Sequence, residues 1–266
     1  TRAIVPVHYA GIACDMDKIM ELAGKYNLFV VEDAAQAIDS FYTGKDGRRR
    51  ALGSIGHIAA FSFHETKNII SGEGGMLVVN DSQFTNRAEI IWEKGTNRSA
   101  FFRGETRKYE WMDIGSSFLP SEITAAFLFA QLEQLDTIQN CRRKIWQSYH
   151  DGLRELSASG AFELPHVPEY ATHNASMFYL VCQNKTARDG LIEYLKQFEI
   201  YAMFHYLPLH KSPFYRQQST RNVSLPNAER FSDCLVRLPF YYGLTGDEQQ
   251  MVIQKIQGFF QQKTRV

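Results

Sequence analysis

The chain has 266 residues, of which 44% are hydrophobic and 22% charged, and its 29 basic and 29 acidic side chains cancel to zero net charge. That composition excludes a disordered or fibrous chain, leaves no basic footprint for a nucleic acid, and contains no run of about 20 apolar residues for a membrane span. Four cysteines (Cys14, Cys141, Cys182, Cys234) lie far apart with no CxxC pair, so they read as free thiols of a cytoplasmic protein and no metal site is expected.

The opening residues 1–7 are strand-like where the apolar core of a secretion signal would stand. Ala3–His8 is a short apolar run with β-branched residues. Asp15 is placed to cap a helix that buries Ile19, Leu22 and Ala23 on one face. Leu28–Val31 is a continuous apolar strand ending in Glu32-Asp33. Ile58–Phe63 is a second, ending in His64, and Met76–Val79 a third, ending in Asn80-Asp81. Unbroken apolar strands separated by helices predict a mainly parallel α/β sheet covered on both faces. Ligands bind beyond the carboxyl ends of such strands, where Asp33 and His64 lie. From Ser121 a long helical pattern runs through Leu128, Leu132 and Leu135 towards Leu153, long enough to bridge two domains. A smaller α+β domain follows. It is read as strand Met177–Cys182, helix Ala187–Gln197, strand Ile200–Phe204, helix Asn227–Leu235 and a last helix near Asp247–Phe260. The expected division is 1–135 for a large cofactor-binding domain and 136–266 for a small one.

The densest chemical signal is Ser62-Phe63-His64-Glu65-Thr66-Lys67-Asn68, followed by Ser71-Gly72-Glu73-Gly74-Gly75. A free lysine titrates near ~10.4 and is protonated at neutral pH; desolvation lowers that value and makes the amine a nucleophile. Alone, such a lysine is more often a surface residue. The second signal is Glu32-Asp33-Ala34-Ala35-Gln36-Ala37, a buried strand that delivers a carboxylate followed by small residues. Alone, Asp33 is more often a helix cap. Together the two change the reading. They are 34 residues apart, one strand–helix–strand excursion, and fall at the same edge of one sheet. A lysine opposite an acid, with small residues between, suits pyridoxal 5'-phosphate (PLP), whose pyridine nitrogen needs a carboxylate partner. Ser62 offers a hydroxyl for a phosphate.

These motifs resemble the DegT/DnrJ/EryC1/StrS sugar aminotransferases, which are fold-type-I PLP-dependent transferases. The resemblance takes in Ala3-Ile4-Val5-Pro6-Val7-His8, residues 32–36, residues 62–68, Gly72-Glu73-Gly74-Gly75, Tyr206-Leu207-Pro208-Leu209-His210 and Leu238-Pro239-Phe240-Tyr241. It implies that Lys67 binds PLP covalently and then carries the proton. It further implies that Asp33 pairs with the ring nitrogen, Gln36 with the phenolic oxygen and Ser62 with the phosphate, while His64 shapes the pocket. Lysine at this position favours transamination, since relatives that dehydrate sugars carry histidine there.

Two departures stand out. Ser117, in Gly115-Ser116-Ser117-Phe118, stands where most of the family has an asparagine that reaches the partner subunit's cofactor phosphate. With Lys94-Gly95-Thr96-Asn97-Arg98 upstream, this variant looks most like the dTDP-4-amino-4,6-dideoxygalactose transaminases. Those move an amino group from glutamate to the 4-keto group of dTDP-4-keto-6-deoxyglucose, for a surface glycan of the enterobacterial common antigen type. A UDP-linked keto sugar or an aminocyclitol precursor is the alternative substrate, and a non-catalytic relative the alternative class. The second departure is that the family segment before the strand at Ala3, which helps to hold the phosphate, has no counterpart here. The chain as written is therefore expected to bind PLP weakly. The resemblance also implies a homodimer. Arg98 is a candidate for the sugar diphosphate, and Tyr206 and His210 for the sugar. The stripe Phe127, Leu128, Leu132 and Leu135 is expected to be core or dimer contact.

Overall fold

The computed structural model describes residues 1–219 and 223–263. In chain order it begins with β1 (Ala3–Ile4), α1 (Met16–Tyr26), β2 (Phe29–Asp33), β3 (Phe41–Thr43), β4 (Arg49–Ala51), β5 (Ile58–Ser62) and β6 (Gly75–Val79). Four helices follow: α2 (Thr85–Trp92), α3 (Arg98–Phe102), α4 (Glu122–Glu133) and α5 (Leu135–Ala158). The remainder is β7 (Phe162–Glu163), β8 (Tyr179–Cys182), α6 (Lys185–Lys196), β9 (Met203–Phe204), α7 (Pro213–Gln218), α8 (Pro226–Cys234), β10 (Leu235–Arg237) and α9 (Gly246–Lys263). Residues 1–139 with 167–176 form one compact unit, and 140–166 with 177–266 a second.

In the first unit the sheet order is β1-β2-β5-β6. The first three strands are parallel, and β6 returns antiparallel to β5. The parallel part matches the α/β reading. The direction of β6 follows from its connection. Residues 63–74 form a tight loop with no crossover helix, and only a long crossover brings a neighbouring strand back parallel. The expected first strand is shorter than Ala3–His8: only Ala3–Ile4 is regular, with an isolated bridge from Val7 to Asp33. Helix α1 is amphipathic. Asp15 caps it by accepting from the Lys18 N–H, and Asn27 ends it in the left-handed conformation. It buries Met16 and Ala23, with Ile19 and Met20 packed against the same cluster around Val30, Ala34, Ala37 and Leu52; Leu22, expected inside, is exposed.

The expected long helix is two. It breaks at Gln134, and α5 continues after it. Helix α4 is apolar on every side yet has no buried residue. The Phe127–Leu135 stripe divides between two situations. Leu128 and Leu135 pack against the cluster of Phe63, Ile69 and Ile138, whereas Phe127 and Leu132 are exposed. Ile123 is 84% exposed and Phe129 64%, so an uncovered apolar face runs along the helix.

The second unit is a four-stranded antiparallel sheet, order β7-β8-β10-β9. Its strand β8 is buried along its whole length. Helices α6 and α9 bury Leu191, Leu195, Ile253 and Ile256 completely. Among the described residues all four cysteines are free, Cys182 and Cys234 being buried. No described helix is long and apolar enough to cross a membrane, and no described group of side chains has the make-up of a metal site.

Candidate active site

Strand β2 ends in two carboxylates that face opposite ways, because side chains alternate along a strand. Glu32 is fully buried. Its Oε2 accepts from His8 Nε2 at 2.9 Å and from the Gly53 N–H at 2.8 Å. Its Oε1 accepts from the Ile55 and Gly56 N–H groups at 2.7 and 2.6 Å. Burial opposes the charge, but the bonds from His8, Gly56, Gly53 and Ile55 outweigh it and hold this carboxyl below the usual range. The Cys14 N–H donates to His8 Nδ1, so that nitrogen is an acceptor and the ring keeps its proton on Nε2, towards Glu32. Glu32 thereby ties the loop that leads into β5 to the body of β2.

Asp33 is half-buried at the strand tip. Its Oδ1 accepts from the Ala35 N–H at 3.1 Å, closing a small turn and leaving the second oxygen open. Ala34 and Ala37 are buried, so the turn has no bulk. Gln36 is oriented by its neighbour: the Ala10 N–H donates to Oε1 at 2.7 Å, which leaves the Nε2 donor for another partner.

The parallel register pairs Asp33 with Ala60. Ser62 therefore lies two residues farther along the adjacent strand, about 6.6 Å by strand rise. Its hydroxyl oxygen accepts from the His64 N–H at 3.3 Å. The following loop is closed by bonds from Phe63 N to Gly74 O and from Glu65 N to Gly72 O, both 2.9 Å. Gly72, at φ +81°, makes the turn that a side chain would strain. Asn68 and Ile69 are buried, so the loop is pinned immediately after Lys67. Among the described residues no hydrogen bond or ion pair engages Lys67 Nζ. Burial lowers its affinity for a proton below that of an ordinary lysine, and the charge of Asp33 offsets this only in part. The charge of Asp33 is thus felt at the Lys67 amine.

The donor set fits PLP: an unpaired, partly desolvated amine, a carboxylate with one open oxygen, an amide with an open N–H, a strand-end hydroxyl, and small residues between them. His64 is bonded through Nδ1 to Thr66 Oγ1 at 2.9 Å, with Glu73 3.6 Å from Nε2.

Of the remaining sequence candidates, Arg98 and Ser117 belong to the first unit. Arg98 is paired with Glu93 at 3.0 Å and stacked over Phe102. Ser117 is exposed, bridged to Glu93 through the backbone. Tyr206 and His210 belong to the second unit. There Tyr206 is exposed near the Arg237 guanidinium, and His210 Nε2 lies 2.9 Å from Glu229 Oε1. The sequence reading missed the residues that hold the site in place: His8, Glu32, Asn68, Gln139 and Asn174. For His8 and Glu32 the signal was present, as a polar residue beside each strand tip. For Asn174 there was none, because its partners are 136 and 138 residues away.

The model of the DegT/DnrJ/EryC1/StrS aminotransferase family matches residues 1–257. The chain is 31% identical over 264 residues to the spore coat polysaccharide biosynthesis protein SpsC of Bacillus subtilis, covering 96% of this chain and 66% of that protein. An aminotransferase structure from Psychrobacter cryohalolentis superposes with a TM-score of 0.88 at 29% identity, over 98% of this chain and 69% of that one. Helicobacter pylori PseC, an aminotransferase of pseudoaminic acid biosynthesis, gives 0.86 at 25% identity, over 98% and 67%. The chain thus spans a little under two thirds of its curated relative, at 66%.

Proposed function

Because the chain belongs to the DegT/DnrJ/EryC1/StrS aminotransferase family, whose cofactor is pyridoxal phosphate, we propose that it carries the covalent PLP site of a sugar aminotransferase. The observation that carries this reading is Lys67 Nζ, unpaired among the described residues, partly desolvated and within the field of Asp33. The sugar is a nucleotide-linked keto sugar and glutamate is the donor. The preferred pair is dTDP-4-keto-6-deoxyglucose and dTDP-4-amino-4,6-dideoxygalactose, on the strength of the residue 94–121 motifs.

When bound, PLP supplies an electron sink for the pair left behind as a substrate C–H proton departs. The open oxygen of Asp33 holds a proton at the ring nitrogen. Gln36 Nε2 donates towards the phenolic oxygen, and the Ser62 hydroxyl towards the phosphate. Lys67 Nζ holds the cofactor covalently at rest and carries the proton between two carbons during turnover. Ser117 reaches the partner subunit's phosphate, Arg98 the diphosphate once released from Glu93, and Tyr206 and His210 the sugar. The working form is a cytoplasmic homodimer, for which the uncovered apolar face of α4 offers contact area.

The test is borohydride reduction of the intact protein with PLP, followed by peptide mapping. A pyridoxyl group on the Lys67 peptide is expected, and its absence refutes the reading. Incubation with separate dTDP- and UDP-linked keto sugars decides the nucleotide.

A further inference from the structure

A buried amide network joins the two arms of the candidate site. Asn174 is fully buried in the first unit, on the returning segment 167–176. Its Nδ2 donates to both Gln36 O and Ile38 O at 2.7 Å. Its own backbone carbonyl accepts from Asn68 Nδ2 at 2.7 Å, and the same Nδ2 donates to Gln139 Oε1 at 2.8 Å. Gln139 Nε2 reaches Asp39 Oδ2 at 3.3 Å. One residue is therefore bonded both to the turn that carries Gln36 and to the neighbour of Lys67.

The backbone around this network is strained. Ala10, Asp39 and Ala175 all adopt left-handed conformations, at φ +56°, +59° and +51°. Ala10 is the residue that orients Gln36, Asp39 accepts from Gln139, and Ala175 follows Asn174. Such conformations persist only where the surroundings over-determine them, and they concentrate at functional sites. The packing leaves no slack either. A Cβ at Gly11 would sit 1.8 Å from Asn174 Oδ1 and 2.9 Å from Gln36 O. Among the described residues Asn174 Oδ1 has no hydrogen-bond partner, although it is buried.

We propose that Asn174 is a positioning residue for the cofactor: it fixes the Gln36 turn so that Nε2 has one direction, and through Asn68 it fixes the spacing between that donor and Lys67. The inference rests on the PLP reading of Lys67 and Gln36.

The experiment titrates PLP into the intact wild type, Asn174→Ala, Gln36→Ala and the double variant. It reads the dissociation constant, the pH midpoint of the lysine-adduct absorption band, and the melting temperature of the cofactor-free protein. Asn174→Ala is expected to weaken binding about tenfold and to move the band midpoint in the same direction as Gln36→Ala. The double variant is expected to be little worse than the worse single, as for residues that act through one another. Binding and midpoint unchanged in Asn174→Ala, or losses that add in full, overturn the proposal even if the melting temperature falls. Should Asn174→Ala not fold, Asn68→Ser removes the bond to the Asn174 carbonyl, and the same pattern must appear. A wild type that forms no adduct refutes the reading of Lys67 instead, which separates the two failures.

Discussion

Glu32 and His8 meet at 2.9 Å with neither side chain exposed to solvent. The pair sits one residue before Asp33, and its outcome is positional: β2 and the loop leading into β5 cannot slide past each other while Glu32 holds three backbone N–H groups and an imidazole.

Removing that carboxylate leaves four donors buried without an acceptor. Glu32→Ala is expected to destabilise the protein by about 3–5 kcal/mol, measured by denaturant unfolding. The pH dependence has a definite sign. The folded value lies below the ordinary 4.5, so the contribution is complete above that value and is lost as pH falls through the folded one. Glu32→Gln is expected to flatten this acid limb of the stability profile.

Burial and the charge of Asp33 act on Lys67 in opposite directions. Lys67→Ala is expected to abolish the borohydride-fixable adduct. Asp33→Asn removes the charge that raises the lysine's proton affinity and leaves the burial that lowers it. The pH midpoint for aldehyde capture by Lys67 in the cofactor-free protein should therefore move down in Asp33→Asn; an upward move contradicts the assignment.

Gly11 stands at φ +74°, against the Asn174 amide. Gly11→Ala combines left-handed strain with overlap against Asn174 Oδ1, and is expected to cost about 2–4 kcal/mol of stability. A thermal unfolding shift of only a degree or two would contradict it.

Ile123 projects from α4 at 84% exposure. A substitution there removes nothing from the interior of a single chain, so Ile123→Glu is expected to leave the secondary-structure spectrum intact. In the dimer reading it buries a charge between subunits and shifts sedimentation to monomer. An unchanged dimer would place the interface elsewhere.

The first unit was legible where the physics is local. Apolar runs ending in Asp33 and Ser62-Phe63-His64 announced strands with the candidate site residues at their tips, and Asp15 announced a helix start. Asp46-Gly47, a turn pair between β3 and β4, signalled a hairpin that went unread. Gln134 gave no breaker signal, and the end of α4 was invisible for that reason. Small-domain elements fell within about two to three residues of their expected bounds, as helix and strand ends fray, but the two-residue β7 and three-residue β10 were too short for periodicity to reveal. The Asn174 network could not be read at all. Amide bonds across more than a hundred residues leave no period, spacing or composition in the chain.

The left-handed turns at Ala10, Asp39 and Ala175 also bear on engineering. At Ala10 and Ala175 glycine would relax the backbone, by about 1 kcal/mol, whereas at Asp39 it would also remove the acceptor of Gln139 Nε2. A screen that rewards heat tolerance alone would find the two alanines early. On the proposed PLP reading, the variants it selected would melt later while gripping the cofactor less firmly, so that resilience and catalytic fitness pull against each other at the same few codons.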